Sequence, residues 1–236
     1  MQPAERYQTL ADIPEIVPVF PLRGAILLPR ASLPLNVFEP RYLAMFDAAL
    51  SGDRLVCIVQ PDLKQLESDP RLQFAALDSP AGQTVPLREV GTIGRITAFQ
   101  EMPDGRMIVS VSGVTRCRLG VERTAGTLYR TFNISAKEYA TDLSPGAGEG
   151  EVPRERLLDA LKSYLVARNL QADWEQISRL PNEPLVNSLA IMSPYGPEEK
   201  EALLEAPTLK ERAEILIALA EMELAAGGSD PGTTLQ

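Results

Sequence analysis

Residues 17–42, VPVFPLRGAILLPRASLPLNVFEPRY, carry five prolines in 26 positions. No long helix survives that density, and no regular central strand does either. Proline fixes φ and cannot donate to a sheet ladder, so it belongs at strand starts, edges and bulges. Between the prolines the apolar residues come in groups. Val17, Val19 and Leu22 form the first, Arg23-Gly24 breaks it, and Ile26, Leu27 and Leu28 resume it. Leu33, Leu35 and Val37 then alternate on one face of an extended run, with Phe38 on the other. Pro40 suits the first turn of a helix, where its missing N–H is no loss. The stretch predicts strand, turn, strand and helix start, the wall of a small irregular β-barrel.

The remaining β signals follow before residue 140. The segment PRYLAMFDAALSG has helical spacing, with Gly52 expected as the left-handed residue after the helix end. RLVCIVQ, residues 54–60, is a nearly continuous apolar run of strand length and predicts a central strand. Residues 61–87 are polar and proline-rich and read as a long loop, with a helical turn near Leu63–Glu67. EVGTIGRITAFQEM and RMIVSVS flank Pro103-Asp104-Gly105 and predict a β-hairpin over residues 90–112. Strands are expected again at 114–121 and 129–139. Residues 141–152, TDLSPGAGEGEV, read as a linker or long connection. Beyond them the apolar period becomes helical. Asp173 is expected to cap a short helix, PLVNSLAIM to form a buried helical centre, and Thr208 with Glu211 to form a capping box opening the last helix.

The chain is 236 residues long with a net charge of −9, and the charge is unevenly placed. Residues 1–140 carry 15 basic and 15 acidic side chains, whereas residues 141–236 carry 8 and 17. No basic stripe is present, which disfavours a phosphate-backbone partner. No apolar run is long enough to span a membrane and the first residues lack the apolar core of a secretory signal, so a cytoplasmic location is expected. Cys57 and Cys117 lie in apolar, strand-like runs and are expected as buried, reduced thiols.

Chemistry is scarce. Histidine is absent from the chain, which removes the commonest general base and metal ligand. There is no CxxC, no phosphate-binding GxxxxGK[ST] loop, no GxGxxG and no GxSxG. The carboxylate pairs Glu198/Glu199 and Glu149/Glu151 read as solvated charge. Each of the five lysines falls at a position expected on the surface. The expectation is a protein with no catalytic residue, no metal and no cofactor.

The proline-rich stretch, together with REVGTIGRITAFQEMPDGRMIVSVSGVTRCRL at residues 88–119 and EKEALLEAPTLKERAEILIALAEMEL at residues 199–224, resembles the N-terminal substrate-binding domain of Lon proteases. That domain also occurs as a stand-alone bacterial protein. The resemblance runs from about Ile13 to Leu224 and rests on PLR, FEPRY, VGT and PDG in that order. It implies an α+β fold: an N-terminal β-rich, PUA-like pseudo-barrel, residues 13–140, followed by a C-terminal α-helical bundle, residues 153–225. Residues 1–12 and 226–236 are expected as flexible ends. The ATPase and Ser-Lys peptidase modules of Lon have no counterpart in this sequence. The implied role is recognition of unfolded or damaged polypeptide, or of a protein partner, with no nucleic acid and no membrane. A regulatory interaction subunit and an RNA-binding PUA-like protein are the alternatives, and the oligomeric state stays open. Arg23, Phe38, Glu39, Arg41, Tyr42 and Arg116 are the candidate polypeptide-binding residues. For each the structural reading comes first: Arg23 holding a backbone carbonyl or a carboxylate in the barrel, Glu39 at the helix N-terminus, Arg41 pairing with a carboxylate across the barrel, Arg116 likewise structural, and Phe38 and Tyr42 as core. The expected surface is a groove between barrel and helices, rimmed by the 61–87 loop.

Overall fold

The computed structural model describes residues 6–68, 85–124 and 126–227. Most of the expected 61–87 loop, residues 69–84, lies outside that set, as do residues 1–5 and 228–236 of the expected flexible ends.

Six strands form one mixed sheet. They are β1 (Ile16–Pro21), β2 (Ser32–Val37), β3 (Leu55–Pro61), β4 (Leu87–Glu101), β5 (Met107–Arg123) and β6 (Arg130–Ser135). The order is β2-β5-β4-β3-β1-β6, and β6 also pairs with β5. Five strands therefore close on themselves, and β2 hangs on the outer half of β5. Among the described strands only β1 and β3 run parallel; helix α1 (Pro40–Ser51) lies in the crossover between them. Strand β3 is buried along its whole length, which matches its unbroken apolar sequence. Gly105 takes φ +83° in the tight turn between β4 and β5, where Met102 and Arg106 close the hairpin.

Helix α2 (Leu63–Ser68) lies between β3 and β4, and α3 (Arg154–Ala167), α4 (Trp174–Arg179), α5 (Asn182–Met192), α6 (Pro197–Glu205) and α7 (Leu209–Gly227) follow the strands. Asp173 caps α4 by accepting from the Gln176 N–H at 3.0 Å. Thr208 and Glu211 make a reciprocal capping box at the start of α7. The chain divides into two compact units. Met1–Pro145 and Pro194–Leu204 make the sheet unit, and Gly146–Ser193 with Glu205–Gln236 make the helical unit. Helix α6 thus belongs largely with the strands.

Several local expectations are corrected. The left-handed residue after α1 is Arg54, φ +61°, whose N–H reaches the Ala49 carbonyl, while Gly52 takes φ −119°. The strand expected over 129–139 stops at Ser135, and Lys137–Leu143 is a 3-10 segment. Residues 141–152 are not a bare linker. Asp142, Leu143 and Val152 are buried, and Glu149 accepts from the Glu183 N–H at 2.8 Å while Glu183 accepts from the Gly146 N–H.

The sheet is covered by its own chain on the α1 face, where Leu27 joins the core cluster of Tyr42, Met45 and Phe46. Residues 26–28 leave the sheet after β1, and Ile26, Leu27 and Leu28 are at most 2% exposed without belonging to any strand. A buried segment outside the ladder must satisfy its backbone polar groups otherwise. Thr92 donates its hydroxyl to the Leu27 carbonyl at 2.6 Å, and the Ala31 N–H donates to Leu28. Gly113 exchanges bonds with both sides, its N–H going to Ala31 and its carbonyl accepting from Arg30. Gly94 and Gly113 face each other across β4 and β5. A Cβ on Gly113 would collide with the Leu28 carbonyl, and one on Gly94 with Val111 and Leu27. These glycines admit the loop. Gly113→Ala should destabilise the fold by about 3 kcal/mol or more in urea denaturation. Gly105→Ala, at a left-handed position with open space around it, should cost only about 1 kcal/mol.

Candidate functional site

Of the six candidate residues, Arg116 is the most deeply placed, 2% exposed on β5. Its Nε and Nη2 donate to the two carboxylate oxygens of Asp142, both at 2.8 Å. Its own N–H donates to the same carboxylate, and Nη1 donates to the Leu204 carbonyl at 3.0 Å. The guanidinium stacks 4.6 Å from the Tyr139 ring centroid. Arg30 completes the group by donating to the Asp142 carbonyl. Arg116 therefore binds β5, the 3-10 segment and the end of α6 into one unit, and solvent does not reach it. A planar five-donor fork suits this bidentate, stacked task where an ammonium would not.

Tyr42 is also internal. It packs 4.4 Å from Phe20 in a core cluster that includes Met45, Phe46, Ile96, Met107, Val109 and Val111. Glu39 and Arg41 pair with each other at 2.7 Å on the half-exposed start of α1, and Arg41 lies over the Tyr42 ring. Arg23 is exposed. Phe38, expected in the core, is instead 63% exposed. It follows Val37 at the end of β2; Val37 turns inward, so Phe38 turns out. The six thus separate into two internal residues, Tyr42 and Arg116, and a surface group of Phe38 with the Glu39–Arg41 pair and Arg23.

Residues the sequence reading passes over lie on the same three strands. Ile108, 42% exposed, sits between buried Met107 and Val109, so strict alternation in RMIVSVS would have found it. Strand registers align Asn36, Ile108 and Gln100 in one row, and Pro34, Ser110 and Ala98 in the next. Both rows face away from the core that Met107, Val109 and Val111 enter.

Two shallow depressions of about 310 and 230 Å³ share Pro14, Asp53 and Leu55 as lining. Cys57 and Cys117 are buried and free, with Sγ atoms 3.7 Å apart over Gly91. The hydrogen bond from Cys117, followed by burial, raises the Cys57 thiol well above its ordinary range. A protonated, buried thiol is a poor nucleophile. The strands β3 and β5 are separated by β4, about 9–10 Å in all, beyond the reach of an undistorted disulfide. Lys200, expected on the surface, is 3% exposed on α6, and burial lowers its pKa to about 8. Beside it Gln60 accepts from the Gly24 N–H and donates to Glu201 at 2.7 Å and to the Pro197 carbonyl at 2.9 Å. Among the described residues no helix is long and apolar enough to cross a membrane, and no three Cys, Asp or Glu side chains are grouped to hold a metal ion.

A closed mixed sheet followed along the chain by a helical unit is the architecture shared with Lon N-terminal domains. The chain belongs to this family: the family model for the substrate-binding domain of ATP-dependent protease La (LON) matches residues 16–221. Lon protease of Escherichia coli (strain K12) is 27% identical over 213 residues, covering 88% of this chain and 25% of the relative. Lon protease 2 of Thermus thermophilus is 28% identical over 216 residues, covering 90% of this chain and again 25% of the relative. The chain therefore spans about a quarter of the length of these curated relatives. Among solved structures, the N-terminal domain of Mycobacterium avium complex Lon protease superposes with a TM-score of 0.61 at 19% identity, covering 87% of this chain and 98% of that one. The Lon N-terminal domain protein of Xanthomonas campestris gives 0.52 at 24% identity, covering 86% and 97%. These likenesses establish the fold.

Removing one member of the buried pair leaves the other charged and unpaired. Arg116→Ala should therefore cost about 3–5 kcal/mol in denaturant unfolding, and Arg116→Met with Asp142→Leu should recover part of that loss. The depressed Lys200 pKa has its own signature. Between pH 8 and about 10.5 the unfolded chain holds the Lys200 proton more tightly than the folded one, so stability contributed by this group rises with pH. Lys200→Met should remove that rise, measured as the difference between the two proteins' unfolding free energies across this window.

Proposed function

We propose that the chain is a polypeptide-recognition module that binds unfolded or damaged segments of other proteins and performs no covalent chemistry of its own. The observation that carries this reading is the family match: a substrate-binding domain model accounts for residues 16–221, nearly the whole chain. The arrangement of side chains supports it. The most buried ionisable group, Arg116, is held by internal partners, Asp142 among them, and the Cys57 thiol is pushed well above its ordinary range by the Cys117 hydrogen bond and burial. What faces solvent near the first candidate residues is Phe38, between the ion-paired Glu39–Arg41 turn and the edge strand. Phe38, Glu39, Arg41 and Arg23 are proposed as the polypeptide-facing members of the candidate set. Tyr42 supports Arg41 from within, and Arg116 holds elements of the sheet unit together. A cytoplasmic location belongs to the same reading, with both cysteines reduced. The sequence carries no basic stripe, so nucleic acid is not the proposed partner.

The test is binding to one model protein in two states. Lactalbumin that has been reduced and carboxamidomethylated is permanently unfolded, whereas the disulfide-bonded form is compact. Calorimetry should show binding of the unfolded form and none of the compact one, with the lactalbumin recovered at full length afterwards. Equal binding of both forms, or of neither, would overturn the proposal, and so would cleavage.

A further inference from the structure

The outer face of the β2–β5–β4 segment stands apart from the rest of this charged chain. Its rows are Pro34–Ser110–Ala98 and Asn36–Ile108–Gln100, with Phe38 two positions beyond Asn36. Thr97, in a bulge of β4, donates to the Ser110 carbonyl and touches the Ser112 hydroxyl. Pro34, Asn36, Phe38, Ala98, Gln100 and Ile108 are all exposed. None of the residues in these rows is charged, in a chain that is 23% Asp, Glu, Lys and Arg. Arg95, one row further on, is drawn away from the face: its guanidinium donates to the Tyr7 hydroxyl and the Asp53 carbonyl. The charges at either end are neutralised in pairs, Asp104 with Arg106 and Glu39 with Arg41. Charge depletion around an exposed aromatic is the composition of an interface centre, and short Ser, Thr and Asn side chains lose little freedom when covered.

The free edge of β2 limits how a partner can sit. Among the described strands β2 pairs only with β5. Pro34 lies in the middle of it, and a proline within a strand turns its donorless nitrogen to the open side. A peptide adding as a further strand would lose a ladder bond there. The face itself is about 14 by 17 Å, or about 250 Å², from strand spacing and rise. A stable contact between folded proteins needs about 800 Å² on each side. The area suits one extended segment of about five residues.

Resting on the recognition reading above, we infer that this face seats an extended, uncharged segment of the bound polypeptide. The segment is held by side-chain contact with Phe38 and Ile108 rather than by strand addition. A segment with Asp or Lys at the seated positions is rejected, because its charge would lose water with no counter-charge to meet.

The experiment uses the full chain, unfolded carboxamidomethylated lactalbumin, and labelled nonapeptides of Ser, Asn, Leu and Phe with or without two Asp or two Lys substitutions. Anisotropy should show the uncharged peptide binding at least about tenfold more tightly than either charged one. Phe38→Ser and Ile108→Lys should each weaken the uncharged peptide by about fivefold or more. Circular dichroism and unfolding midpoints should be unchanged, since both side chains are exposed. If unfolded lactalbumin binds the wild type and both variants alike, or charged peptides bind as well as neutral ones, the face assignment is overturned while the recognition reading stands. If lactalbumin does not bind the wild type, both fall together. A concentration-dependent dimer in sedimentation that Ile108→Lys abolishes would overturn the assignment in favour of a second copy of the chain.

Discussion

The packing of residues 26–28 against the sheet is the contact on which the sheet unit depends. The strands fill the enclosed interior with their own side chains, and the α1 face is covered in part by this loop. Burying Ile26, Leu27 and Leu28 contributes about 2 kcal/mol each in apolar transfer. That gain exists only because the loop's carbonyls find donors in Thr92 and Ala31. It also needs two facing glycines, Gly94 and Gly113, that let backbone approach backbone. The prolines on either side follow from the same requirement. Pro21 ends β1 where the loop must leave, and Pro29 sits at the bridge to Gly113 where it returns.

A second fastening lies three residues further along β5. Arg116 collects the 3-10 segment through Asp142 and Tyr139 and the end of α6 through the Leu204 carbonyl. Buried ion pairs are expensive to desolvate, and this one is offset by a full complement of hydrogen bonds. The polar machinery of the unit is thereby committed to holding elements together. The outer face of β2, β5 and β4 bears no comparable internal duty beyond the Thr97 bonds, which leaves its composition open to selection by whatever rests on it.

Much of this is readable from the residues. The proline spacing foretells β1, β2 and α1, and the unbroken run RLVCIVQ foretells the central strand. Pro103-Asp104-Gly105 marks the hairpin, and Asp173 and Thr208 mark two helix starts, because these signals act over a few neighbouring positions. What escapes depends on contacts distant in sequence. Lys200 looks like a surface lysine on an acidic helix until that helix packs with the strands. Gly52 looks like the left-handed cap until the path into β3 gives that conformation to Arg54. Residues 141–152 have a linker's composition, yet Asp142 meets Arg116 and Glu149 meets the N–H of Glu183. Phe38 is aromatic and reads as core; its position one residue past inward-facing Val37 decides otherwise. For the candidate site, the sequence supplies the region through FEPRY but not which side chains face outward.

The sheet unit is discontinuous, with Pro194–Leu204 returning to it after the first helices of the other unit. During synthesis on a ribosome all six strands emerge before residue 136, along with Arg116, and Asp142 soon after. The Leu204 carbonyl does not exist until the whole stretch of residues 146–193 has been made. One donor of Arg116 therefore waits, occupied by water, through the making of α3, α4 and α5. The barrel of a nascent chain is closed early and sealed late, so the helical insert starts to fold while the strands still lack their last fastening.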